Sequence, residues 1–247
     1  MLTQLNLIGG IVIKQYESEW HGIQFSSFSD LDDKNIAGEE FYEKFYCEFN
    51  KKIRTYEDLS SDWKKDKKNY AAEILNVIGN RKSVLSIGCG IGYIENEIYP
   101  YLKERNGELI GVEPSYSSYS FILDNSNIKC LNGYFPDVFE SHIHFDFAYM
   151  RAVEYTFNDK EYRDFLKSVL DYGIKDFLVI SMSHYKPAKY WLKVAMNKIG
   201  LYTLHSGQFW GYMRTNDEHI KIMKQAGFER VETRVFGNSL FIRGFGN

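Results

Sequence analysis

The sequence predicts an α/β protein: a doubly wound, mostly parallel seven-stranded sheet with a terminal antiparallel hairpin, an N-terminal helical extension and an inserted lid. Three observations carry this. From residue 83 onward, short apolar runs alternate with amphipathic segments, the texture of strands and helices in turn. Before residue 79, apolar residues instead recur at three- and four-residue intervals, as on helices. The last two apolar runs are separated only by Gly237-Asn238, a turn that joins antiparallel strands.

Taken in order, residues 1–30 hold β-prone patches around Gly9-Gly10 and Gly22 that suit a hairpin. Ala37–Lys52 and Asp58–Ile78 read as helices, with Phe41, Phe45 and Phe49 on one stripe and Tyr70, Ile74, Leu75 and Ile78 on the other. Gly79-Asn80 closes the second. Strands are expected at Ser83–Ile87, Glu108–Val112, Asn127–Leu131, Phe145–Met150, Phe177–Ser181, Phe228–Phe236 and Ser239–Arg243. Helices are expected from the glycine loop to about Lys103, and at Ser115–Leu123, Asp159–Leu170 and Asn216–Ala226, the last closed by Gly227. The chain divides into an extension, 1–78, that covers the site, and a main domain, 79–247.

Within that domain, residues 184–215 are too long for a plain connection, where roughly 2–6 residues are usual. The stretch is rich in aromatic and basic residues, among them Tyr185, Lys186, Lys189, Trp191 and Arg214. It reads as a substrate lid, or else as a helix and hairpin that extend the core.

Composition limits the function. With 247 residues and 44% hydrophobic content, the chain has room for a sizeable core. A net charge of −3 offers no polycation for a nucleic-acid backbone. From Ser181 to Asn247, however, ten Lys or Arg stand against four Asp or Glu. That bias suits an anionic substrate, or is ordinary surface variation. The three cysteines, Cys47, Cys89 and Cys130, form neither a disulfide framework nor a zinc pattern, which points to a reducing cytoplasm. The apolar run Leu5–Ile13 is too short to span a bilayer and lacks the flanks of a signal peptide. Many Lys, Asn and Ile with few Ala and Pro suggest an AT-rich bacterial genome.

The most informative segment is VLSIGCGIG, Val84–Gly92. An apolar strand runs directly into glycines at 88, 90 and 92, so the backbone turns sharply and a ligand can approach it closely. A dinucleotide fingerprint would need its third glycine at 93, where Tyr93 stands, and a P-loop would need Gly-Lys-Ser/Thr. The next strand ends in Glu113, followed by Pro114 and Ser115. A carboxylate there can accept hydrogen bonds from both hydroxyls of a ribose, or serve as a helix-start acid.

Strand, glycine loop and helix together resemble motif I of the class I S-adenosylmethionine-dependent methyltransferases, over roughly residues 70–247. A mostly parallel sheet closed by one antiparallel strand is also that family's outline. The resemblance implies S-adenosylmethionine as cofactor, held by Ser86, Gly88, Cys89, Gly90, Gly92, Glu113, Pro114, Gly133, Tyr134, Met150 and Arg151. Glu113 would take the ribose. After the third strand, where relatives place an acid, this chain has Gly133, so adenine would rest on backbone and on Tyr134 or Phe135. Where many relatives carry Asp or Glu to hold the methionine amine, this chain has Ser86, so that contact must come from elsewhere or through water.

The loop Arg151–Tyr155 and Ser181–His184 would ring the reaction centre, at the carboxyl ends of the strands. His184 is the first candidate base, Glu154 the second and His205 the third. Tyr155, Lys186, Lys189 and Arg214 would bind substrate. No Asp-Asp-Asn set near the strand ends suggests magnesium, so no metal is expected. The absence of a basic tail and of an Asn-Pro-Pro-Tyr-like segment argues against nucleic acid, and no membrane contact is expected. The sequence is similar in character to bacterial O-methyltransferases of surface-glycan precursors, which implies a hydroxyl of a small, phosphorylated or nucleotide-linked sugar as acceptor. The alternatives are N-methylation of a small amine or a protein, and a cofactor-binding relative without catalysis.

Overall fold

The computed structural model describes residues 13–17, 19–28, 38–181, 192, 195–196, 199–201 and 209–247. Its centre is a seven-stranded sheet formed by β4 (Ser83–Ile87), β5 (Glu108–Glu113), β6 (Lys129–Asn132), β7 (Phe147–Arg151), β8 (Asp176–Ile180), β10 (Arg230–Phe236) and β11 (Ser239–Phe245). The spatial order is β10-β11-β8-β7-β4-β5-β6. The five strands from β8 to β6 are parallel, while β11 runs antiparallel to both β8 and β10. The expected terminal hairpin is therefore present, with Gly237-Asn238 at its turn.

Alternate side chains of the same strands enter two different cores, which is why the strands are apolar on both faces. Leu85, Ile87, Ile110, Met150 and Val179 pack on one side against α5 (Asp159–Asp171) and α6 (Asn216–Ala226). Val84, Leu109, Tyr149, Leu178 and Ile180 pack on the other against α2 (Ser61–Ile78) and α3 (Tyr93–Glu104). The helices begin where side chains can cap them. Asn158 and Thr215 form capping boxes with Glu161 and Glu218, and Ser60 accepts the Trp63 N–H. Asp58 is spent on its own turn with Thr55, so α2 starts at Ser61 and not at 58.

A third core belongs to the extension. The stripe Phe41, Phe45 and Phe49 of α1 (Glu39–Lys52) is buried with Ile23, Phe25, Ile91, Tyr93, Phe121 and Tyr155. Full burial of a Phe contributes roughly 1.5–3 kcal/mol, so this stripe alone can hold α1 on the main domain. Glu43 of α1 also accepts from the Ser115 hydroxyl (2.8 Å) and the Ser117 N–H (3.1 Å), at the start of α4 (Tyr116–Asn125).

The hairpin expected near Gly22 is β2 (Glu19–Trp20) with β3 (Ile23–Gln24). The patch at Gly9-Gly10 lies outside the described residues. A pairing not expected from sequence is that of β1 (Ile13–Glu17), antiparallel to β9 (Phe209–Met213). The extension and the 184–215 stretch are thus joined by a two-stranded sheet of their own.

Candidate functional site

Strand order reverses at β4: β5 and β6 lie on one side, β7 and β8 on the other. Loops after β4 and β7 therefore diverge and leave a crevice at their carboxyl ends, the place where open α/β sheets bind ligands. The glycine loop fills one lip. Gly88, Gly90 and Gly92 all have positive φ, and Gly92 caps α3. Larger residues would not fit: a Cβ on Gly88 would lie 2.5 Å from Val153, and one on Gly90 3.0 Å from the Tyr46 hydroxyl. The Gly88 N–H donates to the Val112 carbonyl at 2.8 Å, tying the loop to β5.

Glu113 ends β5 beneath this loop. One of its carboxylate oxygens accepts the Gly90 N–H at 2.8 Å and the other the Ser115 N–H at 3.0 Å. Burial pushes its carboxyl up to about 7, although both N–H bonds favour the charged form. Tyr42, partly buried, and Tyr46, buried, stand near it on α1, and loss of solvent raises both hydroxyls. The Tyr42 hydroxyl meets the Tyr155 hydroxyl at 2.6 Å, so α1 is latched to the loop after β7.

On the α2 side of β4 stands a group that the sequence reading missed. Glu95, in the first turn of α3, is 3% exposed. It accepts from the Ser86 hydroxyl at 2.7 Å and the Tyr149 hydroxyl at 2.8 Å on the same oxygen. Burial raises its carboxyl above the ordinary value. The signal was present: Ile94, Ile98 and Leu102 mark the buried stripe of α3, and Glu95 is buried beside them. Ser86, expected to leave a cofactor amine to another group or to water, donates a hydrogen bond to this carboxylate.

Arg151 follows Tyr149 by two residues and so points to the same face. Its guanidinium lies 4.4 Å from the centre of the Tyr70 ring, and the Lys67 ammonium lies 5.5 Å from the same ring. Gly133 donates its N–H to the Glu113 carbonyl at 3.1 Å, and Asn132 bonds the Pro114 carbonyl at 3.0 Å, so the loops after β5 and β6 are tied together. Tyr134 is 51% exposed and donates to Glu39 of α1 at 2.8 Å.

Several expected site residues stand elsewhere. Phe135 is buried among Phe139, Phe165 and Tyr172, which leaves Tyr134 as the exposed ring of that loop. Met150 is fully buried in the core, so only its backbone borders the crevice. Cys89 turns its sulfur under the loop, 3.9 Å from that of Cys130. Glu154 is buried, one carboxylate oxygen accepting the Val153 N–H at 3.1 Å.

Arg214 is the clearest correction. Its side chain is 3% exposed, donating to the Glu154 carbonyl (3.0 Å), the Phe157 carbonyl (2.6 Å) and Asp159 (2.9 Å). It anchors the start of α5 and offers no charge to a substrate. His184, His205, Lys186 and Lys189 lie outside the described residues. Among the described residues, no group of three or more His, Cys, Asp or Glu is placed to hold a metal, and no helix is long and apolar enough to cross a membrane.

The methyltransferase-domain family matches residues 57–233. No curated protein matches the sequence. Among solved structures, human N-acetylserotonin methyltransferase in complex with SAM aligns at a TM-score of 0.56 and 13% identity, over 85% of this chain and 57% of that one. A SAM-dependent methyltransferase from Thermotoga maritima aligns at 0.55 and 17% identity, over 85% and 99% of the two chains. Magnesium protoporphyrin IX methyltransferase from Synechocystis PCC 6803, with bound SAH, aligns at 0.54 and 12% identity, over 81% and 87%. At these identities the likeness is one of fold.

Proposed function

The chain belongs to the methyltransferase-domain family, and we propose that it moves the methyl group of S-adenosylmethionine to a hydroxyl of a small, phosphorylated or nucleotide-linked sugar. The observation that carries the cofactor reading is the buried Glu113 carboxylate bonded to the Gly90 N–H at the sheet's switch point. The residues present fit the group. Glu113 offers a carboxylate to a ribose, the glycine loop leaves room for close approach, and Tyr134 offers an exposed ring to adenine.

When bound, the sulfonium supplies an electrophilic methyl group, and the protein's part is to align the acceptor and take its proton. Alignment falls to the loop Arg151–Tyr155 and to α1, which the Tyr42–Tyr155 hydrogen bond holds together. His184, four residues after β8 in the sequence, is the proposed base, with Glu154 and then His205 behind it. Lys186 and Lys189 are the proposed contacts to an anionic acceptor, a role that Arg214 does not share. Support for this acceptor is the excess of basic residues after Ser181.

The test is an acceptor screen with methyl-labelled S-adenosylmethionine, covering sugar nucleotides, sugar phosphates, small amines and a protein panel. Label in a phosphorylated sugar, lost in Lys186→Gln/Lys189→Gln, is the expected result. Label only in an amine or a protein would replace the hydroxyl reading.

A further inference from the structure

Cys89 and Cys130 hold their sulfurs 3.9 Å apart, and Gly111 leaves the room for them. Gly111 stands inside β5, paired with Cys130 of β6 on one side and with Ser86 of β4 on the other. A Cβ there would lie 2.9 Å from the Cys89 sulfur and 3.6 Å from the Cys130 sulfur. Glycine inside a strand weakens it and often marks a close approach by another part of the chain; here the two sulfurs approach. Cys130 is buried and fixed by the β5–β6 ladder. Cys89 is partly exposed and sits between Gly88 and Gly90, both with positive φ. It is therefore the member that a small reagent reaches first and the one whose backbone can give. The contact with Cys130, and then burial, hold the Cys89 thiol well above its ordinary value, so the resting pair is a dithiol that reacts slowly.

We propose that Cys89 and Cys130 form a reversible disulfide site, closed by hydrogen peroxide, and that closing it weakens cofactor binding at the glycine loop. The Cys89 sulfur, as thiolate, attacks one peroxide oxygen, which becomes an S–OH group while the other oxygen leaves as water. The Cys130 sulfur then attacks that sulfur, and the hydroxyl departs as a second water. Two thiols and one peroxide thus become a disulfide and two waters: the sulfurs lose two electrons and the peroxide gains them. A disulfide needs about 2.05 Å between its sulfurs, so roughly half of the present gap must close. That pull falls on the loop between two of its anchors, the Gly88 N–H on the Val112 carbonyl and the Gly90 N–H on Glu113, each at 2.8 Å. The effect on binding rests on the cofactor reading above; the disulfide itself does not.

The test compares the full chain reduced, oxidised with hydrogen peroxide that catalase then removes, and re-reduced with dithiothreitol. Peptide mapping by mass spectrometry locates any link, and calorimetry measures the affinity for S-adenosylhomocysteine. Cys130→Ala removes one partner, and Cys47→Ser removes the exposed thiol of α1. A thermal melt of each variant confirms that it is folded. The expected result is a Cys89–Cys130 peptide in oxidised wild type, with S-adenosylhomocysteine bound at least tenfold more weakly and recovered by dithiothreitol. Cys47→Ser should respond as wild type does, and Cys130→Ala should keep the reduced wild-type affinity after peroxide. No linked peptide, or a link that leaves affinity unchanged, overturns the proposal. So does an equal loss in folded Cys130→Ala, which would place the effect on another residue. A link formed in a chain whose reduced form binds no S-adenosylhomocysteine overturns the cofactor reading, and the effect on binding falls with it.

Discussion

Glu113 accepts the N–H of Gly90 at 2.8 Å, so the acid that ends one strand is fastened to the middle glycine of the loop leaving its neighbour. The contact makes cofactor loop and ribose candidate a single unit. Gly90 also has φ of +57° and faces the Tyr46 hydroxyl. Gly90→Val should therefore abolish S-adenosylhomocysteine binding, because a β-branched residue disfavours that backbone and fills the approach. Calorimetry beside circular dichroism checks it; a folded variant with wild-type affinity would remove the glycine loop from the site.

Glu113 should also shape stability against pH. Its folded pKa of about 7 lies above the ordinary 4.5, so the folded chain keeps a proton that the unfolded chain releases. Stability from this group is full below about pH 4.5 and is lost as pH rises through about 7, on the order of 3 kcal/mol. Measured from pH 4.5 to 8, the urea midpoint of wild type should fall relative to that of Glu113→Gln, which does not titrate. Parallel curves would show that the carboxyl titrates near its ordinary value.

Arg214 should behave as a structural residue. Arg214→Ala strips three acceptors of their donor, two of them backbone carbonyls at the start of α5. Asp159 is 69% exposed, so the ion pair itself counts for little and the carbonyls dominate. A loss of about 2–4 kcal/mol is expected in urea unfolding. Loss of acceptor affinity at undiminished stability would return Arg214 to the substrate.

The latch between α1 and the loop after β7 is measurable by a double-mutant cycle. Tyr42→Phe and Tyr155→Phe each delete one hydroxyl of the 2.6 Å bond. Their coupling should be about 0.5–1.5 kcal/mol in stability, and additive losses would mean that the hydroxyls do not hold one another.

The parts of this site that are legible in the sequence are those built by local spacing. The glycines at 88, 90 and 92 and the acid at 113 follow from strand, turn and helix read along the chain. So does the terminal hairpin at Gly237-Asn238. What the sequence hides comes from residues that meet across elements. Tyr42 and Tyr46 look like more of the aromatic stripe of α1 until that helix is seen lying over Glu113. Arg214 looks like one more cation in a basic stretch, because nothing local reveals the carbonyls that surround it. Glu95 lies between: its place beside an apolar stripe is visible, but its partners on β4 and β7 are not.

The measurement that bears most directly on the cofactor site is the affinity of Glu113→Ala for S-adenosylhomocysteine and for its 2′,3′-dideoxyribose analogue, each against wild type. A ribose held by this carboxylate predicts a loss of roughly 1.5–3 kcal/mol for the natural compound and a much smaller one for the analogue. An equal loss for both compounds, or none for either, would contradict it.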